Sequence, residues 1–471
     1  MNIAAIDIGT SRIKCAVFTE DGNMLVLKSQ RLNRATSPNR QDANVWAQST
    51  EKMLAEVTGD FCIDAVAVTG NMHAFLPVDN NGTPLCDALL WSDNSSCNET
   101  DFLNKNYSSI LLEKFGNPAT PVFTLPKWIM EYKNFEEKSY KLLQSKDFII
   151  QKLTGNFVTD PSDASGTLVM NLKNGSWDKD FLADLKLSVD HLPEIVPSAS
   201  IAGYVTREAH LKTGLKVGIP VITGAGDLAT AAIGSGVDDD TFSLTLGTAG
   251  QLLGVGPVGN YHKLAGKIFT FAHASTGKEL YLGSVPAGGF CFEWLSRIHN
   301  ISVDDFFAQA QKSEKWCDLP LFMPYILGRG APYMDYTPCG AWYDLKAELS
   351  LSDLCKGAVL GTLCALRQNA DRMENLSGKR SKIVFQALAC REEIVRSCAA
   401  KLFKQQKFIP QNSEASLLGT TAIALTALKV DSSPENAIAR ILPRQEIILP
   451  HDDIVENYFK KYLFQAENIS I

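Results

Sequence analysis

A glycine-threonine turn between two strand-like runs occurs twice in this chain, and that repetition limits the folds open to it. Near the start, Ile6-Asp7-Ile8-Gly9-Thr10-Ser11 lies between the runs Asn2–Ile6 and Ile13–Phe18. Halfway along, Thr245-Leu246-Gly247-Thr248-Ala249 lies between Phe242–Leu246 and Gln251–Gly254. Such a turn presents backbone N–H groups and hydroxyls outward, an arrangement suited to phosphate oxygens. An acidic residue, Asp7, precedes the first turn where the second has Thr245. Two half-chains of like design, one carrying a carboxylate, imply a two-lobed nucleotide enzyme with its site in the cleft between the halves.

At 471 residues the chain exceeds what one core usually supports, so two or three domains are expected. The formal net charge is −7 with no basic block to offset it, which argues against a nucleic-acid or membrane-surface partner. An anionic substrate must then be met by local backbone donors and metal. Eleven cysteines are scattered singly without a CxxC pair, and Cys15 sits within Lys14-Cys15-Ala16-Val17 as a small hydrophobe would. Met1-Asn2-Ile3 runs directly into a strand and no apolar run reaches bilayer length, so a cytoplasmic protein without a membrane segment is expected.

The patterning predicts strands at Asn2–Asp7, Ile13–Phe18, Met24–Lys28 and Ile63–Val68, with an Asp21-Gly22 hairpin turn between the second and third. A helix over roughly Asn44–Val57 carries Trp46, Met53, Leu54 and Val57 at helical spacing, with Asn44 or Asp42 as its cap. The charged stretch Asp238-Asp239-Asp240 marks the expected junction, giving lobes at 1–238 and 239–471. Beyond it the sequence predicts strands at Phe242–Leu246, Gln251–Gly254, Ile268–Phe271 and Leu280–Leu282. Helices are expected over Leu354–Met373 and Ser416–Lys429.

Three segments carry chemistry. Asp7 through Lys14 reads as a phosphate turn with a carboxylate for a Mg²⁺-bound water, or as a plain hairpin needing Gly9. Gly224-Ala225-Gly226-Asp227 ends the apolar strand Ile219–Thr223 and precedes a small-residue helix, which suits a general base or a helix cap. Gly70-Asn71-Met72-His73 ends another strand. With Trp91-Ser92-Asp93 it offers hydrogen bonds and a stacking face to a polyhydroxylated ligand, although a lone strand-end histidine is often structural. Gly254-Val255-Gly256-Pro257-Val258-Gly259 matches a dinucleotide fingerprint but leads into a turn instead of opening a helix, so it is rejected. The seven histidines form no zinc pattern, and there is neither a GxSxG elbow nor a Walker lysine.

Through most of its length the chain resembles the FGGY carbohydrate kinases, and among them the xylulokinase-like branch. The likeness lies in Asp7-Ile8-Gly9-Thr10-Ser11 with Lys14, Met72-His73, Leu90-Trp91-Ser92-Asp93, Lys152–Gly155 with Thr159-Asp160, and Ser162–Ser165. It continues in Gly226-Asp227, Leu246-Gly247-Thr248, Gly288-Gly289 with Trp294, and Tyr325–Asp335. The resemblance implies an α/β fold of two ribonuclease-H-like domains of the actin and hexokinase type, facing a central cleft that closes on ATP and sugar. It implies transfer of the γ-phosphoryl group to a hydroxyl of a ketose, polyol or sugar acid, with Asp227 as general base and Mg²⁺ near Asp7. Thr10, Ser11, Lys14, Gly247, Thr248, Gly288, Gln386, Ala387 and Leu388 would face the nucleotide. Asn71, Met72, His73, Trp91, Asp93, Asp227 and Leu228 would face the sugar. A small sugar is the implied partner, and a homodimer is left open.

The chain departs from the family at three places. Asn71 and Ala74 replace two members of Gly-Gln-Met-His-Gly. Leu228 stands where xylulokinases tend to have Asn, removing a hydrogen bond to substrate. Gln386-Ala387-Leu388-Ala389-Cys390-Arg391 replaces a glycine-rich adenine loop, so side chains there are expected to crowd the nucleotide. These departures motivate a second reading, a non-catalytic or weakly active sugar- or nucleotide-binding regulator. A third, an actin-like ATPase without sugar chemistry, is opposed by the loops at Met72-His73 and Trp91–Asp93.

Overall fold

The computed structural model describes residues 1–32, 39–136, 138–410, 414–442, 444–447 and 454–469. The opening run forms β1 (Asn2–Ile8), apolar on both faces and almost wholly buried, as a central strand requires. It pairs antiparallel with β2 (Arg12–Thr19), which pairs with the half-exposed edge strand β3 (Met24–Arg31). Helix α1 (Ala43–Asp60) buries Trp46, Met53, Leu54 and Val57, and Asp42 is its cap through a hydrogen bond accepted from the Asn44 N–H. Strands β4 (Ala65–Gly70), β5 (Ile201–Tyr204) and β6 (Pro220–Gly226) complete a six-stranded sheet in the order β5-β6-β4-β1-β2-β3. In it β1, β4 and β6 run parallel, and β6 leads directly into α2 (Asp227–Gly234).

The second sheet repeats this plan. Strand β7 (Thr241–Leu246) pairs antiparallel with β8 (Gly250–Pro257), and β9 (Phe269–Ala272) and β10 (Lys278–Val285) extend that side. After the long buried helix α3 (Leu351–Ser377), β11 (Lys382–Ala387) and β12 (Gln406–Pro410) run parallel to β7. Helix α4 (Ala415–Ala427) follows β12 as α2 follows β6, and β13 (Arg444–Ile447) closes the order β9-β10-β8-β7-β11-β12-β13. The registers correspond: Asp7 faces Lys14 and Thr69 on its two neighbours, and Thr245 faces Gln251 and Gln386 on its own.

The two sheets are joined by α2 and α4, which cross at glycines. A Cβ on Gly234 would lie 1.8 Å from the Ala415 carbonyl oxygen, and one on Gly419 would lie 1.9 Å from that of Thr230. Backbone therefore meets backbone at the crossing. The expected division at residue 238 falls in the turn before β7, yet α4 packs on β1, β4 and β6, its Leu417, Leu418 and Ile423 sharing a core with Ile3, Ala5 and Ile222. In the rejected dinucleotide fingerprint, Gly254 and Gly256 lie within β8, where a Cβ on Gly256 would strike Tyr281 and one on Gly254 would press closely on Phe242. The turn expected through Gly259–His262 ends two residues early, in a four-residue helix, Tyr261–Leu264.

Candidate active site

A cavity of about 620 Å³ lies between the two sheets, lined among others by Asp7, Lys14, Asp227, Leu228, Thr245, Gln251, Gln386, Ala387 and Glu414. Two parallel strands deliver its carboxylates. Asp7 stands opposite Thr69 of β4, and Gly226 opposite Gly70 of the same strand, so Asp7 and Asp227 end strands that flank β4. The β6–β4 register shifts between Ile222 and Ala225. There Gly224 has φ +66°, and a Cβ would sit 1.8 Å from the Val68 carbonyl oxygen. That irregularity turns the strand end into the cleft, as bulges near sites do.

Burial pushes the Asp227 carboxyl up to about 7, and neighbouring Asp7 adds to the effect. Burial likewise pushes Asp7 up to about 6, against the opposing pull of the Lys14 ammonium. The N-termini of α2 and α4 both open onto the cavity through Asp227, Leu228, Ala415 and Ser416. Unpaired N–H groups and the positive end of each helix favour an anion there.

At the end of β7, beyond the cavity-lining Thr245, the Gly247–Ala249 turn is braced by the segment that follows β10. The Gly289 N–H donates to the Gly247 carbonyl at 2.7 Å and the Phe290 N–H to that of Thr248 at 3.0 Å. A Cβ on Gly288 would lie 2.1 Å from the Gly250 nitrogen, so these backbones touch, and Leu388 closes over Gly289. Gln386 donates to Ser235 Oγ at 2.8 Å, tying β11 to the end of α2. Ala387 adopts φ 52° and ψ −125°, a conformation that favours glycine. Ala387→Gly is expected to stabilise the protein by about 1 kcal/mol, because relief of backbone strain outweighs the added chain entropy. A raised denaturation midpoint in urea checks this.

Of the expected sugar-facing residues Asp227 and Leu228 line the cavity, and the others are engaged by the protein itself. Asn71 is buried and donates through Nδ2 to the Ile8 carbonyl at 2.8 Å. Met72 is buried against Gly166 and Gly226. His73 has φ 68°, with Nδ1 2.7 Å from the Gly166 carbonyl oxygen and its ring against Phe123 and Phe271. Burial pulls its imidazole down to about 4, so it is neutral. Trp91 is largely exposed and donates from Nε1 to Thr10 Oγ1 at 2.9 Å, linking the two loops. Asp93 Oδ1 accepts from the Ser95 N–H at 2.9 Å and organises its own turn. Ser11 accepts from the Leu32 N–H and holds the first glycine-threonine turn.

Beneath the Asp227 turn lies a buried ionic cluster that the sequence did not disclose. Lys146 Nζ is 2.6 Å from Asp147, 3.1 Å from Asp160 and 3.2 Å from Asp163, all fully buried. Burial alone would pull the Lys146 ammonium down, but the three carboxylates outweigh it and hold it charged. Burial pushes Asp163 well above the usual carboxylate range despite Lys146. The cluster reaches the site directly: the Gly226 N–H donates to Ser162 Oγ at 2.9 Å, and Ser162 donates to Asp160 Oδ2 at 2.6 Å. A lysine in the helix Ser145–Thr154 reads as a solvated face, and its spacing from Asp160 and Asp163 is the only sequence signal.

Residues 2–234 match the N-terminal domain of the FGGY family of carbohydrate kinases. The xylulose kinase of Staphylococcus xylosus is 28% identical over 398 residues, covering 81% of this chain and 82% of that protein. The xylulose kinase of Escherichia coli K12 is 25% identical over 465 residues, covering 96% and 95%. The crystal structure of gluconate kinase from Lactobacillus acidophilus matches with a TM-score of 0.91 at 22% identity, over 99% of this chain and 97% of that one. That likeness shows the fold: two α/β domains of the actin and hexokinase type facing a cleft.

Proposed function

The chain belongs to the FGGY family of carbohydrate kinases, and from that premise we propose that it transfers the γ-phosphoryl group of ATP to a hydroxyl of a small ketose or related sugar. The observation that carries this reading is the pair Asp7 and Asp227, ending strands on either side of β4 on one cavity wall, across from Gln386 and Ala387. Asp227 accepts the proton of the attacking hydroxyl as general base. The amides of Gly247 and Thr248 and the first turns of α2 and α4 meet phosphate oxygens where charge gathers. Closing the lobes, divided near residue 238 with α4 returning to the first, excludes water as a rival acceptor.

Mg²⁺ fits this carboxylate pair. Burial leaves both groups short of positive charge, and hard oxygen donors beside a phosphate path suit that cation. Asp7, with Asp227 beside it, would hold the ion, which when bound neutralises charge on phosphate oxygens. Leu228 lines the cavity in the first turn of α2 and offers no hydrogen bond, which favours a sugar other than D-xylulose. The proposed compartment is the cytoplasm; among the described residues no helix is long and apolar enough to cross a membrane.

A panel of pentuloses, hexuloses, polyols and sugar acids with Mg-ATP tests the reading, with turnover expected on at least one. The loop with Ala387 at positive φ and Leu388 over Gly289 favours a second reading, a sugar-binding regulator. Calorimetry separates the two: sugar binding with no ATP binding and no turnover would establish the regulator and remove the kinase. The raised carboxyls also set a pH dependence. A base must be ionised to act, and Asp227 ionises only near pH 7 in the free protein. kcat/KM is therefore expected to fall tenfold per unit as pH drops below about 7, and saturating Mg²⁺ is expected to move that limb to lower pH. A flat profile from about pH 5.5 to 8.5 would contradict the assignment.

A further inference from the structure

Lys14 stands on β2 opposite Asp7, and its ammonium meets Glu414 Oε2 at 2.6 Å. Both partners line the cavity and are partly exposed to it. Glu414 occupies the N-cap position of α4, where the chain comes back from the second sheet to pack on the first. Its carboxylate makes no cap hydrogen bond to α4. A negative group held at a helix N-terminus by a lysine has the surroundings a phosphate would seek. Glu414 thus occupies, from within the protein, a place that suits an anionic ligand.

We infer that Glu414 is an internal stand-in for a phosphate of the nucleotide: the carboxylate and the phosphate chain compete for the Lys14 ammonium, and nucleotide binding exchanges one for the other. The inference rests on the proposed nucleotide donor and adds to it a positioning residue that sets donor affinity. The physical balance favours exchange. A triphosphate brings more negative charge than one carboxylate, and the pair it displaces is only partly buried, so little desolvation free energy is tied up in it. Once Lys14 moves, Glu414 is left near the incoming anion and repels it, so the carboxylate weakens binding both by holding the lysine and by its own charge. A glutamine of the same shape removes both effects.

Calorimetric titration with Mg²⁺ and the β,γ-imido analogue of ATP, without sugar, tests this. Glu414→Gln is expected to bind the analogue roughly fivefold more tightly than the native protein. The KM for ATP should fall with it while the KM for sugar stays constant, a split that general loosening of the fold would not produce. Lys14→Met is expected to weaken binding, and adding Glu414→Gln to it should recover less than about twofold, since the lysine is no longer there to release. Unchanged or weaker binding by Glu414→Gln would overturn the exchange and leave the donor reading intact. The full gain persisting in the Lys14→Met background would also overturn it, leaving simple repulsion. No binding by any variant or by the native protein would overturn the donor reading and the exchange together.

Discussion

Asp227→Asn is expected to lower turnover by about a hundred- to ten-thousandfold while leaving the KM for sugar nearly unchanged. The amide keeps the shape of the side chain and its place at the start of α2 but cannot take a proton from the substrate. The same substitution is expected to raise thermal stability, and the sign follows from linkage. Burial and Asp7 push the folded-state pKa of Asp227 from 3.8 to about 7. Below the unfolded value the carboxyl is protonated in both states and costs nothing. As pH rises towards the folded value the native state must give up a proton it holds more tightly than the unfolded chain does, and stability falls. Asparagine has no such penalty. The variant should melt with the native protein near pH 4 and above it at about pH 8. Turnover surviving the change would remove Asp227 as the base, and equal melting temperatures at both pH values would remove the desolvated carboxylate.

Lys146→Met is expected to be the most destabilising single change near the site, costing about 3–5 kcal/mol. Among the described residues the lysine is the one cation paired with Asp147, Asp160 and Asp163, all at full burial. Without it three carboxylates share a dry space and must protonate or draw in water. The loss should therefore be smaller at pH 5 than at about pH 8, since unpaired buried carboxylates raise their pKa values and the native state takes up protons. Lys146→Met with Asp163→Asn should recover part of the loss. Urea denaturation of both variants at the two pH values checks this, and a cost under about 1 kcal/mol would mean that the cluster is paired in some other way. Because Asp160 holds Ser162, which holds the Gly226 N–H, the single variant should also lose activity beyond its loss of folded protein.

Strands β1–β4 and β6–β10 were legible because they are short apolar runs ended by turns, a signal local in the chain, whereas β5, β11, β12 and β13 were not read from the sequence. Asp7 and Asp227 were each legible because each ends an apolar run where a turn or helix begins. That they share one wall of the cavity, and do not face each other across it, depends on the parallel strands that flank β4. Lys14, Gln386 and Ala387, which the resemblance implied would face the nucleotide, line the cavity with Asp7. The strand at Ala65–Gly70 begins two residues later than its apolar pattern suggested, since Ile63 packs into the core from the preceding loop. What stayed hidden depends on contacts between distant segments. Glu414 lies 400 residues from Lys14. Lys146 sits in a helix whose composition reads as half-solvated, and only tertiary packing brings it under Gly226. Nothing in Leu418-Gly419-Thr420-Thr421 announces that Gly419 must meet the backbone of Thr230.

The two helix ends that open on the cavity have a consequence for how the protein meets its ligand in solution. They act only at contact range, whereas the net charge of −7 acts over the distance that mobile ions permit, about 10 Å at 0.1 M salt. An approaching polyanion is thus repelled from afar and welcomed only on arrival. Added electrolyte shields the repulsion more than it weakens the sheltered contacts, so the encounter rate should climb with ionic strength, opposite to the behaviour of proteins that steer anions with basic surfaces.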